Sequence, residues 1–561
     1  MSDAPLRANL AEIHEALASA LPERECIVFR DRRLSWAEVT DRTRRLAGLL
    51  RGAGLGCHRE RAELAAHEAG QDRVALYLHN GNEYLEGMLG AMKARAVSFN
   101  VNYRYVDEEL LYLFGDADPR AVLFHACFAP VLARLRERLP GVRLWLQVAD
   151  GSGEPLLPGA LDYEAALAGA EPEAPAGLTP DDLYVLYTGG TTGMPKGVLW
   201  RQDDIYHAAM APPRVPHSLA ELCERAARRE PLRAMPTPPL MHGAAQWIAF
   251  SLWNVGGTLV FPARPERFDP DDVWDTAARE RVNTMTIVGD AFGRPLVESL
   301  DRAPRELDAL RQISSGGAIL SADTKAALLE RLPGIRILDV LGSSESGTQA
   351  VRASTREGGA RTGDFDLGAG NVVLSADLSH RLAPGSDETG WLARTGRMPL
   401  GYLGDPEKTA RTFPVVGGVR HAVPGDRARV AADGTLRLLG RDSVTINTGG
   451  EKVFAEEVEQ ALKAHGDVWD CLVVGAPHPR FGQQVVGLVA ARAGAEALAR
   501  GDADALAAVA AEAARHLAAY KRPRHLWVVP AIQRSPSGKP DYGWGRALAA
   551  ERIGASGSEG A

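Results

Sequence analysis

The chain has 561 residues, of which 45% are apolar, 24% charged and 6% aromatic, a composition that excludes a disordered or membrane-embedded chain. It has 64 lysines and arginines and 72 aspartates and glutamates, so the net charge is -8. The sequence contains no basic stripe, so a nucleic-acid partner is not expected. At roughly 150 residues per domain, the length predicts two to four domains.

The five cysteines are far apart in the sequence, and no two of them form a Cys-x-x-Cys pair. This pattern argues against a disulfide framework or a structural zinc site and fits a reducing compartment. No apolar signal segment follows the first charged residues, and no stretch of about 18 apolar residues appears later. We therefore expect a cytoplasmic protein without stable membrane insertion.

Short apolar runs alternate with helical patterns through the first part of the chain. A helix is predicted over residues 83–94, where Tyr84, Leu85, Met88 and Met92 recur at helical spacing. Strands are predicted over residues 74–78, 121–124, 183–187, 284–288 and 335–338. Alternation of this kind predicts an α/β protein with mixed layers.

Three other segments have a distinctive composition but contain no candidate catalytic or binding residues. Residues 212–239 are rich in Pro, Arg and Glu and are predicted to be a surface excursion with a helix at about 219–229. Residues 494–514 are alanine-rich and predict a surface helix, and residues 554–561 predict a frayed tail. Beyond Gly440 the residues form a separate pattern of predicted strands and helices, so we place a domain boundary there, with domains at 1–441 and 442–561.

The strongest signal is YTGGTTGMPKG, residues 187–197, directly after a predicted strand. Glycines let backbone N–H groups approach phosphate oxygens, hydroxyls donate to the same oxygens, and Lys196 adds a positive charge. It is not a Walker A loop, because Pro195 precedes the lysine and residues 197–200 continue as a strand. A plain Gly/Thr hairpin turn is the alternative. The candidate phosphate-binding residues are Thr188, Gly189, Gly190, Thr191, Thr192, Gly193 and Lys196.

This loop resembles the signature of the adenylate-forming (ANL) superfamily, which includes acyl-CoA synthetases, peptide synthetase adenylation domains and luciferases. The resemblance spans nearly the whole chain. It implies a mixed α+β fold, with a large N-terminal multi-sheet adenylation domain and a small, mobile α+β C-terminal domain. It also implies that ATP, Mg²⁺ and coenzyme A are used.

The segment LDVLGSSESG, residues 338–347, resembles the second nucleotide motif of that superfamily. The resemblance places Ser344 on the α-phosphate and Glu345 on magnesium, with Thr191 as a further metal and catalytic group; a carboxylate suits a hard cation. The family usually has an aromatic residue at the position of Leu341. The other nucleotide-binding candidates of this motif are Asp339, Gly342 and Ser343.

Two further motifs are similar to the family's adenine and ribose contacts. SSGGAIL, residues 314–320, resembles the loop whose backbone lines adenine and the acyl pocket, through Gly316, Gly317 and Ala318. Near the proposed boundary, Asp426 and Arg441 match the aspartate that accepts from both ribose hydroxyls and the arginine that supports it. A carboxylate bridging two vicinal hydroxyls is the solution that dinucleotide folds also use.

The remaining motifs resemble those for the acid and for coenzyme A. His242 matches the family's acyl-pocket histidine, to which we assign a lining or gating role. The backbone at Gly449 and Gly450 matches the loop that forms the pantetheine tunnel, and Ser443 stands at the hinge. Lys539, in RSPSGKPDY, matches the C-terminal catalytic lysine, which neutralises charge as the acid attacks the α-phosphate.

Together the motifs predict an AMP-forming acid–CoA ligase. Several stretches are most similar to actinobacterial ligases for fatty acids and cholesterol side-chain acids, so a fatty, aryl or steroid side-chain acid is the expected substrate. The motifs leave other acceptors open: an amine, a carrier-protein thiol, or nitrite chemistry of the diazotase type. A silent binding protein is a further alternative. The sequence does not choose between a monomer and a homodimer.

Overall fold

Strands and helices alternate through the chain, as the sequence predicts, and the fold is mixed α/β. The structure, a computed structural model, describes residues 5–7, 9–190, 193–360, 363–448, 451–478, 481–535 and 538–558. The described residues separate into two compact units. The first unit runs to Gly190 and includes Met194–Ala360 and Arg394–Ala422; the second takes up the chain from residue 363 to Ala393 and again from Val423.

The described strands are two to eleven residues long. In the first half of the chain they are β1 (Glu25–Phe29), β2 (Arg32–Ser35), β3 (Arg73–Tyr77), β4 (Val97–Asn100), β5 (Pro119–His125), β6 (Leu144–Val148), β7 (Leu161–Asp162), β8 (Leu183–Gly190), β9 (Gly193–Arg201), β10 (Arg233–Pro236), β11 (Thr258–Phe261) and β12 (Thr284–Ile287). Beyond them lie β13 (Gln312–Gly316), β14 (Arg336–Ser343), β15 (Gly347–Ser354), β16 (Asp364–Asp366), β17 (Asn371–Leu374), β18 (Gly390–Arg394), β19 (Gly401–Tyr402), β20 (Val415–Val416), β21 (Val419–Arg420), β22 (Asp426–Val430), β23 (Thr435–Arg441), β24 (Ile446–Thr448), β25 (Glu451–Val453), β26 (Val468–His478), β27 (Gly482–Ala491) and β28 (His525–Val528).

The α-helices connect these strands, and among the described residues none is long and apolar enough to cross a membrane. They are α1 (Leu10–Ala20), α2 (Trp36–Gly52), α3 (Asn82–Lys93), α4 (Asp107–Ala117), α5 (Ala129–Leu135), α6 (Tyr163–Gly169), α7 (Gln202–Ile205), α8 (Leu219–Arg228), α9 (Gly243–Trp253), α10 (Pro270–Arg279), α11 (Gly289–Arg302), α12 (Ala322–Arg331), α13 (Pro406–Thr412), α14 (Ala455–Lys463), α15 (Glu496–Ala499), α16 (Ala503–His516) and α17 (Tyr542–Ser558). Short 3-10 helices and one π-helical turn, Tyr206–Met210, fill some of the connections.

The first unit is built on several sheets. The largest has the order β15-β14-β13-β12-β10-β11-β1-β2, and a second has the order β4-β3-β5-β6-β7. The strands of the second sheet pair in parallel, whereas β14 and β15 form an antiparallel hairpin at the edge of the first. A small third sheet, β19-β9-β8, carries the glycine-rich segment.

Apolar residues on both faces of β3 place this strand between two packed layers. In β3, Val74 and Leu76 belong to one core cluster, while Ala75 and Tyr77 belong to another. Successive side chains of a strand point to opposite faces, so a strand buried on both faces reads as a continuous apolar run. This explains why the runs in the sequence predicted these strands.

The second unit contains two further sheets. One has the order β16-β23-β22-β18-β17; the other has the order β25-β24-β27-β26, with β28 pairing in parallel to β27. The second of these sheets packs with α14, α16 and α17 around one apolar core cluster. The predicted domain boundary at residues 441 and 442 remains a prediction.

The predicted helix at 83–94 and all five predicted strands are present, and α8 occupies most of the helix predicted at 219–229. Three expectations were wrong in detail. Residues 233–236 are not part of a surface excursion, because β10 is a largely buried strand between β11 and β12. The single helix predicted at 494–514 is two helices, α15 and α16. The predicted tail is helical as far as Ser558.

Candidate active site

The glycine-rich segment includes the end of β8 and the start of β9. β8 continues to Gly190 and β9 starts at Gly193, so Thr188, Gly189 and Gly193 all lie within strands. Thr191 and Thr192 lie outside the described residues, and their predicted phosphate and metal roles stay predictions. A Cβ at position 197 would lie only 2.9 Å from the ring of Tyr187, so packing requires a glycine there.

Lys196, on β9, is held by an acidic partner from another part of the chain. Its Nζ lies 2.8 Å from Oδ1 of Asp116, and the hydroxyl of Tyr187 donates to Oδ2 of the same carboxylate at 2.8 Å. Burial lowers the pKa of Lys196, but the hydrogen bond and charge of Asp116 outweigh burial and raise it overall. The ammonium group therefore stays charged where a phosphate is expected.

Asn100 fixes the base of the hairpin. Its Nδ2 donates to the carbonyl of Tyr187 at 2.8 Å and to that of Met241 at 2.7 Å, while its Oδ1 accepts from the Tyr187 amide at 2.8 Å. These bonds join β4, β8 and the segment that carries His242. Motif reasoning identified neither Asn100 nor Asp116, because both belong to segments without a recognisable pattern.

The second nucleotide motif is also a hairpin. Ser344 and Glu345 lie in the turn between β14 and β15, and Oγ of Ser343 is 2.8 Å from Oγ of Ser346 across that turn. The turn is joined to β9, because Nε1 of Trp200 donates to the carbonyl of Ser344 at 2.9 Å. The structure thus brings the two predicted nucleotide motifs together within one unit.

Glu345 has a tyrosine partner. The Tyr402 hydroxyl donates to Oε1 of Glu345 at 2.8 Å, and Tyr402 is 2% exposed. Tyr402 lies on β19 and pairs with Val198 of β9, two residues beyond Lys196. The described residues contain no group of three or more His, Cys, Asp or Glu that could hold a metal ion. One carboxylate suits a magnesium ion that arrives on a nucleotide, because Mg²⁺ is usually bound by one or two carboxylates together with substrate phosphates.

Asp339, predicted to bind the nucleotide, has a partner within the protein. It lies on β14, and its Oδ2 is 2.5 Å from Nζ of the fully buried Lys325. Burial raises the pKa of Asp339, and Lys325 opposes this effect. Leu341 and Gly342 follow on the same strand, opposite Ala350 and Thr348 of β15.

The adenine-loop candidates lie beside the N-terminus of α11. Gly316 ends β13, and Gly317 and Ala318 follow it. Oγ of Ser315 accepts from the Gly289 amide at 3.1 Å, and the Ile319 carbonyl accepts from the Asp290 amide at 3.0 Å. The adenine-loop candidates and the start of α11 are therefore neighbours in space.

His242 is the N-cap residue of α9 and is half-buried. Its amide donates to the Pro239 carbonyl at 3.0 Å. In the first turns of the same helix, Gln246 accepts from the Tyr184 hydroxyl and donates to the Leu240 carbonyl, at 2.5 and 2.7 Å. The pocket wall at this point is thus fixed by buried hydrogen bonds.

The ribose candidates belong to the second unit. Asp426 and Arg441 are directly paired on β22 and β23, and Nε of Arg441 lies 3.3 Å from Oδ1 of Asp426. Behind them, Oε1 of Glu456 accepts from the Arg441 amide at 3.4 Å. Burial raises the pKa of Glu456 to about 8, and the nearby carboxylate of Glu459 adds to the effect.

Lys539 is an exposed residue on a short loop of the second unit. The Ser535 amide donates to the Lys539 carbonyl at 2.8 Å, and Arg534 anchors the loop through both oxygens of Asp470, at 2.7 and 2.8 Å. The loop is therefore held both by its backbone and by the side chain of Arg534. Gly449 and Gly450 lie outside the described residues.

Two family models match this sequence. The AMP-binding enzyme model covers residues 15–365, and the AMP-binding enzyme C-terminal domain model covers residues 457–539. The chain is 48% identical over 552 residues to the medium-chain acyl-CoA ligase Mig of Mycobacterium avium, covering 97% of this chain and 99% of that protein. It is 40% identical over 549 residues to the medium/long-chain-fatty-acid–CoA/3-oxocholest-4-en-26-oate–CoA ligase of Mycobacterium tuberculosis, covering 96% of this chain and 95% of that protein.

Among solved structures, the anthranilate CoA ligase AuaEII in complex with anthranoyl-AMP matches with a TM-score of 0.80 at 22% identity, covering 99% of this chain and 100% of that one. This likeness shows a shared fold. The resemblance noted from the motifs is confirmed by the family models and by relatives that match along almost the whole length. The chain therefore belongs to the AMP-binding enzyme family.

Proposed function

We propose that this enzyme activates a carboxylic acid with ATP and transfers the acyl group to coenzyme A, releasing AMP and pyrophosphate. One observation carries the proposal: the turn with Ser344 and Glu345 is joined to the strand of Lys196 through Trp200 and Tyr402, in a chain whose near full-length relatives are acyl-CoA ligases. A carboxylate that could meet a cation and a lysine that could meet phosphate thus belong to one site.

In the first step, an oxygen of the substrate carboxylate forms a bond to the α-phosphorus of ATP as the bond to the β-phosphate oxygen breaks. The products are the acyl-adenylate and pyrophosphate. A carboxylate is a poor electrophile at neutral pH, which is why its activation requires ATP. Negative charge accumulates on the phosphoryl oxygens, so the protein acts by positioning and by electrostatic stabilisation.

We assign the charge-stabilising roles to Lys196, Lys539, Thr191 and Thr192, and the orientation of the α-phosphate to Ser344. Magnesium, bound with ATP, would supply further positive charge, and Glu345 is the residue that would hold it. Asp426 would accept from the ribose hydroxyls, and its pairing with Arg441 supports that orientation. Backbone groups of Gly316–Ala318 would line adenine.

In the second step, the thiol of coenzyme A attacks the acyl carbonyl. A carbon–sulfur bond forms, the bond from the acyl carbon to the phosphate oxygen breaks, AMP leaves and the thiol proton is released. We propose that movement of the C-terminal domain about Ser443 withdraws Lys539 and brings the Gly449–Gly450 backbone to the thiol. A hinge of this kind requires backbone freedom more than a particular side chain.

The substrate class that we propose is a medium-chain fatty acid or a steroid side-chain acid. The support is the named activity of the relatives at 48% and 40% identity. An acceptor other than coenzyme A is not favoured, because these relatives, which match over more than nine-tenths of the chain, are CoA ligases. We place the reaction in the cytoplasm, catalysed by a monomer or a homodimer.

The test is pyrophosphate release over a panel of medium-chain, aryl and steroid acids and nitrite, each with and without coenzyme A, with mass spectrometry of the products. We expect an acid-dependent signal and a CoA thioester. Glu345→Gln should abolish most of the signal, whereas Glu357→Gln, at an exposed position, should retain it. Release that depends on nitrite or an amine and ignores coenzyme A would overturn the proposal.

A further inference from the structure

Tyr402 is held by its backbone as well as by its burial. It pairs with Val198 across β19 and β9, and its amide donates to Oγ1 of Thr409 at 2.9 Å. The next residue, Leu403, donates from its amide to the Gly197 carbonyl at 2.8 Å. The phenol that reaches Glu345 is therefore fixed to the strand that carries Lys196.

Lys408 lies beside this tyrosine. It is in the first turn of α13, where Oδ1 of the N-cap residue Asp405 accepts from its amide at 2.9 Å. Its Nζ is 4.3 Å from the centroid of the Tyr402 ring, within the range of a cation–π interaction. The sequence motifs did not single out Lys408.

Charged groups of both signs surround Lys408. Burial lowers the pKa of Lys408, and the carboxylates of Glu345 and Asp405 oppose this effect. The ammonium group of Lys196 and the guanidinium group of Arg411 lower it further. Lys196 and Lys408 carry charges of the same sign, and a polyanion that contacts both would stabilise them.

Glu345 faces the same arrangement from the other side. Its Oε1 accepts from Tyr402, which restricts the rotation of the carboxylate and leaves Oε2 for a second partner. A carboxylate fixed by an outer hydrogen bond is a better-oriented ligand than a freely rotating one. Tyr402 and Lys408 therefore connect the predicted cation ligand to the predicted phosphate lysine.

We propose that Lys408 is a polyphosphate-binding residue that acts with Lys196 on the pyrophosphate part of ATP, and that Tyr402 positions Glu345 for the metal of Mg·ATP. This inference rests on the proposed function. It makes Lys408 a determinant of triphosphate over monophosphate, because AMP lacks the phosphates that Lys408 would meet. A purely structural cation–π contact on Tyr402 is the competing explanation, and it predicts no such selectivity.

The test is calorimetric binding of Mg·ATP, of AMP and of inorganic pyrophosphate to the full chain, without acid or coenzyme A. Lys408→Gln is expected to weaken ATP and pyrophosphate roughly tenfold, the effect of removing one charged contact, and to leave AMP unchanged. Lys408→Arg should restore most of the ATP affinity. The matched control is Arg411→Gln, on the same short helix, whose side chain is 71% exposed.

A second measurement tests Tyr402. The measurement is ATP binding at a fixed ATP concentration and increasing magnesium. Tyr402→Phe is expected to raise the magnesium concentration for half-maximal ATP binding roughly tenfold, because a hydrogen bond to a charged group is lost. Equal loss of ATP and AMP affinity in Lys408→Gln, or unchanged ATP affinity, would overturn the inference. Neither assay includes the thioester step, so this failure is distinct from failure of the proposed ligase activity, which shows as missing product.

Discussion

Replacing Asn100 tests whether the predicted site is held together by the hydrogen bonds described above. Asn100→Ala removes one side-chain acceptor and two donations, and leaves the Tyr187 amide and the carbonyls of Tyr187 and Met241 without these partners. Asn100 is 6% exposed, so water replaces the lost bonds poorly. Each buried polar group left unsatisfied costs about 1–3 kcal/mol. With partial relaxation we expect a destabilisation of about 3–5 kcal/mol.

The assay is thermal melting together with acid-dependent pyrophosphate release. A large melting shift is expected for Asn100→Ala, and release should fall because the strand before the phosphate hairpin and the segment before His242 are no longer joined. The matched control is Asn102→Ala, since the Asn102 side chain accepts from the Arg104 amide in an exposed turn. Exposed substitutions of this kind usually change stability by less than about 0.5 kcal/mol. Equal melting of the two variants would refute this account of Asn100.

Three further outcomes are expected. Asp116→Asn removes the carboxylate that competes with phosphate for Lys196, so ATP affinity measured by calorimetry should rise; a fall would mean that Asp116 positions the lysine instead. Burial holds the pKa of Glu456 at about 8 in the folded chain, whereas the unfolded chain loses this proton above about pH 4.5. The free energy of unfolding therefore falls as pH rises from about 4.5 to about 8. Glu456→Gln should therefore stabilise the protein by about 1–3 kcal/mol at pH 8 and little at pH 4.5 in chemical unfolding, and a pH-independent difference would contradict this. Gly440→Ala should lower the melting temperature, because φ is +124° and the new Cβ would lie 2.3 Å from Glu456 Oε2; melting equal to wild type would refute this.

Local sequence patterns predicted the parts of the fold that local forces determine. The apolar runs of β3, β5, β8 and β12 are buried on both faces, so their sequences contain the signal. The strand β10 was missed because Arg233–Pro236 is short and lies in a Pro- and Arg-rich segment. Its strand state comes from pairing with β11 and β12. That pairing is tertiary information.

The end of α17 shows the opposite error. Glycine and serine near the C-terminus predicted fraying, but a glycine in a helix costs only about 1 kcal/mol. Leu548 and Ile553 pack against the core of the second unit, and this anchoring keeps the backbone helical beyond Gly554. Weak propensity was therefore overruled by packing.

In the candidate site too, local motifs could be predicted from the sequence and tertiary contacts could not. Motif residues such as Lys196 and Glu345 could be identified because each lies in a recognisable segment. Their partners could not: Asp116 is 80 residues from Lys196, and Tyr402 is 57 residues from Glu345. Such pairs depend on which strands become neighbours, which a single sequence does not state. Lys408 was missed for the same reason.

The central claim, transfer of the acyl group through an adenylate to coenzyme A, is tested most directly with a medium-chain acid labelled with ¹⁸O in both carboxylate oxygens. Turnover with ATP and coenzyme A should give the CoA thioester and AMP carrying one ¹⁸O atom, with none in pyrophosphate, because a carboxylate oxygen bonds to the α-phosphorus. Unlabelled AMP, or label in inorganic phosphate accompanied by ADP, would contradict it.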